Sequence, residues 1–564
     1  MPARAAARVL DAFLDYNGRY SDITRRARRH FERRDWRAAQ ADATARIDLY
    51  DACIAETLTR LELLLDDRVR SRSLWAAMRD AYARLVEPHA DRELFRTFFN
   101  TLSRRFFRTR GVDEAIEFVD LHAVAAVDDA SAVVECHNLR DPVDACRRLL
   151  EAQPFAIGYQ DPAHSAALIA RELAERALEE GAAWQSMQVL RTVFYREQRA
   201  YLVGRLVGVD ACTPLVVAFV STPAGVRADA VLTNLHQVSQ LFGYARSAFQ
   251  ADLAVVSAAV AFLHALLPHR PRGELYTVLG RIKQGKTERC RELFAHLARA
   301  PDDRVMRAEG ARGMVMLVVT PRSHAVVIKL IRDRFAWPKE GGRAEVERRY
   351  RLVARHDRVG RLIDAQEFRY LRLPRAAFEP EVLAEIESEC ASSIEADAHG
   401  LVFRHCYVER RLRPLDLYLR EVDAAAGLRA VLDYAQAIED LARVNIFPGD
   451  LLLKNFGVSR IGRVVFYDYD ELCLVEECRF RHLPDAPEGE ESRPVEDWLS
   501  VRPNDVFPAQ FPQFLGLAPN LREALVQRYA HLFDPDWWNG LRERFLAGET
   551  LDVPPYPAAA RLPE

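Results

Sequence analysis

Along roughly the first 190 residues, apolar side chains recur at steps of three and four, as in Leu58, Leu61, Leu63, Leu64 and Leu65. That spacing lines one face of a 3.6-residue turn and predicts helices. The first sixteen residues are amphipathic and carry arginine. Asp11, Asp15 and the lack of a small-residue cleavage site mark an ordinary first helix rather than a transit peptide. Leu94, Phe95, Phe98 and Phe99 cluster at helical spacing, as core packing requires. From about 198 to 235 the pattern turns β-like in three runs, 200–207, 215–220 and 230–232, which predict a small antiparallel sheet inserted among the helices. Helices are expected again from about 236 to 266, and Pro268, Pro271 and Gly273 break the pattern.

From about 305 the texture changes. Val315, Met316, Leu317, Val318 and Val319 form one apolar run, and Ala325, Val326, Val327, Ile328, Lys329 and Leu330 form another. With a glycine-bearing stretch before the first run, they read as strand, loop, strand, then a strand carrying Lys329. Residues 345–362 predict a helix. Residues 401–409 predict one strand running into a polar hinge, and 428–444 an apolar-faced helix. The stretch 484–492 is acidic and loop-like, and the tail from Val553 is proline-rich and extended.

Composition narrows the class. A chain of 564 residues exceeds one core, so two or more domains are expected. Apolar content of 49% with 29% charged residues is a globular balance. The net charge of −3 offers no global field for nucleic acid. Nine cysteines lie scattered without a C-x-x-C pair, so reduced thiols are expected rather than a zinc site or a disulfide framework. No apolar run reaches membrane-spanning length. The basic residues between 23 and 36 fit a solvated face paired with Glu32 and Asp35, or an anion-binding surface.

Candidate chemistry lies in two places. Gly280, Gly285, Lys286 and Thr287 satisfy the phosphate-loop pattern G-x-x-x-x-G-K-[ST], with 275–279 as a possible strand before it. The surroundings lack the β-α-β alternation such a loop needs, which argues against it. Asp450 and Asn455 lie five positions apart, and Asp468 follows eighteen positions after Asp450. Phosphoryl transfer uses a carboxylate to orient a hydroxyl, an amide to hold a metal, and a second carboxylate under the phosphates. D-L-L-L-K-N followed by D-Y-D fits that order. The same residues also fit a turn aspartate, a capping asparagine and an acidic strand end. Upstream, Ala308, Glu309, Gly310, Ala311, Arg312, Gly313 and Met314 form the glycine-bearing loop, and Lys329 ends V-V-I-K.

These parts stand in protein-kinase order, and the chain resembles bacterial isocitrate dehydrogenase kinase/phosphatases over most of its length. The likeness rests on the basic stretch 23–36 and on 94–100, 200–205, 274–287, 309–314, 356–364, 447–457 and 467–470. Phe-Pro-Gly-Asp in place of His-Arg-Asp is its most distinctive element. The resemblance implies an α+β chain with a mainly helical regulatory domain, 1–304, holding the small sheet near 198–235. A bilobed kinase-like domain, 305–564, would follow, with a small lobe at 305–410 and a large lobe at 411–564. It implies a cytoplasmic enzyme that phosphorylates a serine of isocitrate dehydrogenase with ATP and Mg²⁺. The same site would remove the phosphate, with ADP able to support that reaction, and so divide carbon between the citric acid cycle and the glyoxylate bypass. AMP and metabolites would act as effectors, and a homodimer is compatible.

By the same resemblance, the stretch from Ala308 to Met314 covers the ATP phosphates and Lys329 holds them. Asp450 orients the serine hydroxyl, Lys454 neutralises the moving phosphoryl group, and Asn455 with Asp468 holds Mg²⁺. Asp364 matches a loop aspartate tied to activity, dephosphorylation above all. Glu345 and Glu347 both stand where a kinase helix offers a glutamate to the lysine. Gly449 removes the arginine that ordinary kinases aim at a phosphorylated activation loop, so no such switch is expected. No A-P-E follows Asp470, which itself adds a carboxylate suited to positioning a water or modulating a second metal. Two other readings are a small-molecule kinase and a non-catalytic scaffold. The four residues Lys329, Asp450, Asn455 and Asp468 together argue against the scaffold.

Overall fold

The computed structural model describes residues 1–119, 134–209, 212–243, 248–337, 339, 341–397, 400–484 and 500–563. Apart from Pro484, the acidic stretch at 484–492 lies outside them, as do Asp497 and Trp498. Helix α1 (Pro2–Arg33) buries Val9, Phe13, Tyr16, Tyr20, Thr24, Ala27 and Phe31, a ladder of three- and four-residue steps. Arg34 breaks it with a left-handed φ of 55°. Asp35 then caps α2 (Trp36–Leu65), accepting from the Ala38 N–H at 3.1 Å. The basic stretch is a paired, solvated face: Arg28 meets Glu32 at 3.0 Å, Arg25 meets Asp252 at 2.7 Å and Arg26 meets Asp42 at 3.2 Å. Helices α3 (Arg72–Val86) and α4 (Arg92–Phe107) complete the bundle, and Phe95, Phe98 and Phe99 are buried in its core.

The helical expectation for the first 190 residues fails at two strands, β1 (Val134–Asn138) and β2 (Ser186–Leu190), which bracket α5 (Pro142–Glu151) and α6 (Pro162–Glu180). Five residues are too short for a period-two signal to stand out beside long helices. Next come β3 (Phe194–Arg196), β4 (Arg199–Val207), β5 (Cys212–Thr222) and β6 (Gly225–Leu232). The sheet therefore has six strands, ordered β1-β2-β4-β5-β6 with β3 on β4. Alternation along β4 sends Tyr201 and Val203 into the bundle core, and Ala200, Leu202 and Leu206 into the layer under α5 and α6.

After α7 (Leu235–Leu241) and α8 (Val256–Leu266), residues 275–279 prove helical, not extended, in α9 (Arg272–Val278). Gly285, Lys286 and Thr287 lie inside α10 (Ile282–Arg299). A Cβ on Gly285 would stand 2.2 Å from Thr277 Oγ1 and 2.5 Å from the Gly273 carbonyl oxygen. The glycine lets two helices touch, and the phosphate-loop reading falls.

The C-terminal half opens with β7 (Val305–Arg307), β8 (Met316–Pro321) and β9 (Val326–Ile331), then α11 (Arg343–His356). It continues through β10 (Gln366–Phe368), β11 (Leu371–Leu373), α12 (Pro380–Glu389), β12 (Ile394–Asp397), β13 (Gly400–Phe403) and β14 (Cys406–Arg410). An antiparallel sheet runs β10-β14-β9-β8-β7, and β11-β13-β12 form a second. Two expectations change here. The helix ends at His356 rather than 362, where Asp357 turns extended. The strand expected at 401–409 divides at Arg404, whose N–H reaches the Ser393 carbonyl at 2.8 Å and turns the chain from one sheet to the other.

The remaining part packs α13 (Leu415–Glu421) and α14 (Ala424–Ala442) against short strands. Val431, Tyr434, Ile438, Phe456, Phe466 and Trp538 form its core. The halves are joined by ion pairs and by the tail. Arg410 meets Glu274 at 2.7 Å, Tyr556 donates to Asp229 at 2.5 Å, and the Leu562 N–H reaches the Asp229 carbonyl at 2.8 Å. The class is α+β, as expected. Among the described residues no helix is long and apolar enough to cross a membrane.

Replacing Gly285 with alanine overpacks the α9–α10 contact. We expect a loss of about 1–3 kcal/mol in urea unfolding, with nucleotide affinity of the folded protein unchanged. A phosphate loop would show the opposite pattern.

Candidate active site

Helix α14 delivers the chain into a two-residue strand, Ile446–Phe447, which pairs with Cys473–Leu474. Between those strands the catalytic-loop candidate and the D-Y-D segment meet. Gly449 has φ 84°, and a Cβ there would lie 2.5 Å from both Cβ and the carbonyl oxygen of Glu471. Neither the backbone conformation nor the space admits arginine. Asp450 accepts the Leu452 N–H at 2.9 Å, and the Asn455 amide donates to the Asp450 carbonyl at 3.2 Å. Asn455 is 3% exposed.

A hairpin then closes the gap in sequence. Phe456–Val458 pairs with Val464–Phe466, setting Phe456 opposite Phe466. The Tyr467 N–H donates to the Asn455 carbonyl at 3.1 Å, so Asn455 and Asp468 flank the open end of one hairpin. Lys454 lies half-buried on the same turn, and its carbonyl accepts the Tyr467 hydroxyl. The structure thus gathers Asp450, Lys454, Asn455, Asp468 and Asp470.

Lys329, on β9, joins this group from the other side of the cleft. Its ammonium donates to the Tyr467 carbonyl at 2.7 Å and meets the Glu409 carboxylate at 2.9 Å. Glu409 is 1% exposed, and its pKa is raised by burial against the pull of Lys329. Neither helix glutamate is the partner. Glu345 binds Arg349 at 2.6 Å, and Glu347 pairs with Arg351 at 3.8 Å. The pairing comes from the sheet. Tyr407 faces Lys329 across β14 and β9, so Glu409 is a diagonal neighbour on the same face.

The glycine-bearing loop bridges β7 and β8, closed where the Ala308 N–H donates to the Val318 carbonyl at 2.9 Å. Glu309, Gly310, Ala311, Arg312 and Gly313 are exposed. Glu309 pairs with Arg413, and Arg312 with Glu389. Gly310 has φ 117° and approaches Pro414, with 3.3 Å left for a Cβ. The Met314 carbonyl accepts the Ala336 N–H at 3.3 Å, tying the loop to the segment that carries Lys339. Lys339 pairs with Glu471.

Asp364 is placed apart from the gathered set. Its carboxylate is held by Arg289 of α10 at 3.1 Å and by the Gln366 amide at 2.9 Å. Arg289 also binds the Val408 carbonyl at 3.0 Å, one residue from Glu409. The Tyr469 hydroxyl reaches the Ile363 carbonyl at 2.7 Å. Asp364 thus touches the cleft through the buried ring of Tyr469 and through the strand that bears Glu409.

The electrostatics favour a cation. Burial raises the Asp468 pKa, and Lys329 and Lys339 oppose the rise. Burial, then the Asp468 charge, push Asp470 up to about 7. One Asp470 oxygen is buried without a hydrogen-bond partner. Hard oxygen donors gathered this way fit a small hard dication.

Sequence reasoning missed Glu409, Arg289 and Lys339. The first two depend on strand register and on contact between the chain's halves, for which no local pattern exists. Replacing Glu409 with glutamine strands a buried ammonium. We expect about 3–5 kcal/mol lower stability, partly restored by MgATP, and weakened phosphoryl transfer. Glu345→Gln and Glu347→Gln should stay within about 1 kcal/mol of the parent. Urea midpoints with and without nucleotide check both.

Residues 303–558 match the model of the isocitrate dehydrogenase kinase/phosphatase (AceK) kinase domain, and residues 6–301 match that of the AceK regulatory domain. A protein of Xanthomonas euvesicatoria named isocitrate dehydrogenase kinase/phosphatase is 48% identical over 566 residues, covering 99% of this chain and 97% of its own. One of the same name from Xanthomonas campestris (strain 8004) is 49% identical, covering 98% and 96%. An Anaeromyxobacter relative, also so named, is 42% identical, covering 99% and 98%. The chain therefore belongs to the isocitrate dehydrogenase kinase/phosphatase family.

Proposed function

We propose that the chain transfers the γ-phosphoryl group of ATP to a serine of isocitrate dehydrogenase and hydrolyses the resulting phosphoserine in the same cleft. The observation that carries this reading is the convergence of Lys329, Asp450, Lys454, Asn455, Asp468 and Asp470 below the glycine-bearing loop. In the forward direction, Asp450 accepts a hydrogen bond from the serine hydroxyl and aims its oxygen at phosphorus. Lys329, whose ammonium is held by Glu409, and the backbone from Ala308 to Met314 position the phosphates. Lys454 offsets charge that develops on the moving group.

Asn455 and Asp468 would hold Mg²⁺, which when bound neutralises phosphate charge. In the reverse direction Asp470 orients the attacking water, with ADP retained in the cleft. Asp364 acts through Tyr469 and the Glu409 strand. The division near 304, with lobes meeting near 410, belongs to the same reading, as do a cytoplasmic location and a possible homodimer. Regulation by AMP and metabolites is supported by a cavity of about 870 Å³ between the halves. Arg104, Arg105, Lys283, Lys286, Arg355 and Arg369 line it beside Asp48, Asp51, Glu117 and Glu367, a wall with more cations than carboxylates.

The test incubates the protein with isocitrate dehydrogenase and γ-labelled ATP, then chases with ADP. We expect label on the substrate, its release in the chase, and loss of both steps with a chelator. No transfer to isocitrate dehydrogenase would overturn the reading, and transfer without release would leave a kinase alone. Asp450→Asn should lower transfer by about 10²–10⁴-fold. Asp470→Gly should lose release selectively, and unimpaired release alongside an intact forward reaction would refute the role given to Asp470.

A further inference from the structure

Cys473 and Cys478 lie five positions apart, a spacing that matches no metal or redox motif. The fold nevertheless brings their sulfurs to 3.5 Å. The 3₁₀ turn Val475–Glu477 folds the chain back between them. Cys473 is partly exposed and Cys478 is buried. The hydrogen bond between the two sulfurs lowers the Cys473 thiol below its ordinary value, while that bond and burial raise Cys478. The pair thus has an accessible attacking thiol and a sheltered resolving one.

Its position is as telling as its geometry. Cys473 pairs in the ladder with Phe447, three residues before Asp450. The same turn is fastened to Asn445, which accepts the Val475 N–H at 3.3 Å and the Glu476 N–H at 3.1 Å. Phe447 is wedged against Phe480 and Trp538, with ring centroids 5.6 and 5.4 Å away. Gly449 packs on Glu471 with no room for a methyl group. A displacement of Cys473 therefore bears directly on the loop that holds Asp450.

We propose that Cys473 and Cys478 form a reversible oxidation site, closed by hydrogen peroxide, whose disulfide distorts the Asp450 loop and lowers phosphoryl transfer. The Cys473 thiolate attacks the peroxide oxygen, the O–O bond breaks, and the departing hydroxide takes up a proton as water. Cys473 becomes a sulfenic acid. The Cys478 sulfur then attacks the Cys473 sulfur, and its thiol proton leaves with the sulfenic oxygen as a second water. Two thiols are oxidised by one electron each, and one peroxide gains two electrons. Closing the bond brings the sulfurs from 3.5 Å to about 2.05 Å, and on this proposal the shortening is taken up in the turn fastened at Asn445 and Phe447.

The activity arm rests on the phosphotransfer reading, whereas the cross-link does not, so the two are read separately. Full-length protein carrying Cys136→Ser and Cys212→Ser, which removes the two exposed thiols, is treated with hydrogen peroxide and digested without reductant. The peptide holding 473 and 478 should lose two hydrogens. Transfer to isocitrate dehydrogenase should fall about tenfold or more and return with dithiothreitol. Cys478→Ser and, separately, Cys478→Ala should remain active when reduced and show neither the cross-link nor a dithiothreitol-reversible loss. Absence of the cross-link, or a cross-link with unchanged activity, would overturn the proposal. If the reduced protein transfers no phosphate, the functional reading fails, and the effect of the cross-link on MgATP binding decides the thiol proposal instead.

Discussion

The buried pair of Lys329 and Glu409 sets the terms for the rest of the cleft. An ammonium taken out of water needs a countercharge and hydrogen-bond acceptors. Lys329 finds the first in Glu409 at 2.9 Å and one of the second in the Tyr467 carbonyl at 2.7 Å. One side chain thereby fixes the sheet of the small lobe against the strand end that carries Asp468. Because Glu409 is on β14, hydrogen-bonded to β9 through four residue pairs, the pair is part of the sheet. A helix can swing and take its glutamate with it, but a neighbouring strand cannot leave without breaking the ladder. Lys329 is thus held independently of α11.

The same logic applies at the other wall. Gly449 replaces an arginine that would read a phosphorylated loop, and the contact with Glu471 explains the replacement physically. The D-Y-D segment lies directly on the catalytic loop and is paired to it through Phe447 and Cys473. An activation segment that swings away on phosphorylation needs a gap and a guanidinium at this point, and neither is available.

How far the sequence disclosed this site follows from distance along the chain. Asp450, Asn455 and Asp468 lie within one loop and one hairpin, so their spacing made them candidates, although turn, cap and strand-end roles fitted the same residues. Lys329 stood out as a candidate because it is the one charged residue in an apolar run behind a glycine-bearing loop. The α+β class and the inserted sheet were legible from periodicity, although β1 and β2 were too short to register. Glu409 was not legible, since its role depends on which strand lies beside β9, and the helix glutamates were the natural local choice. The Gly-Lys-Thr stretch shows the converse failure. Its residues matched a phosphate loop, while the glycine served a helix contact with Thr277 and Gly273.

That stretch nonetheless leads to the connection between the halves. Lys283, Lys286 and Thr287 of α10 line the cationic cavity, and Arg289 follows less than one turn later on the same helix. Arg289 binds Asp364 and the Val408 carbonyl. Val408 adjoins Glu409, and Glu409 holds Lys329. A helix transmits displacement along its length because its hydrogen-bond ladder resists local bending. From the cavity to Lys329 the contacts run through helix α10, the hydrogen bond from Arg289 to the Val408 carbonyl, strand β14 and the buried Glu409–Lys329 pair. Asp364 shares Arg289 with the Val408 carbonyl, so its buried carboxylate fixes the guanidinium that joins α10 to the strand bearing Glu409.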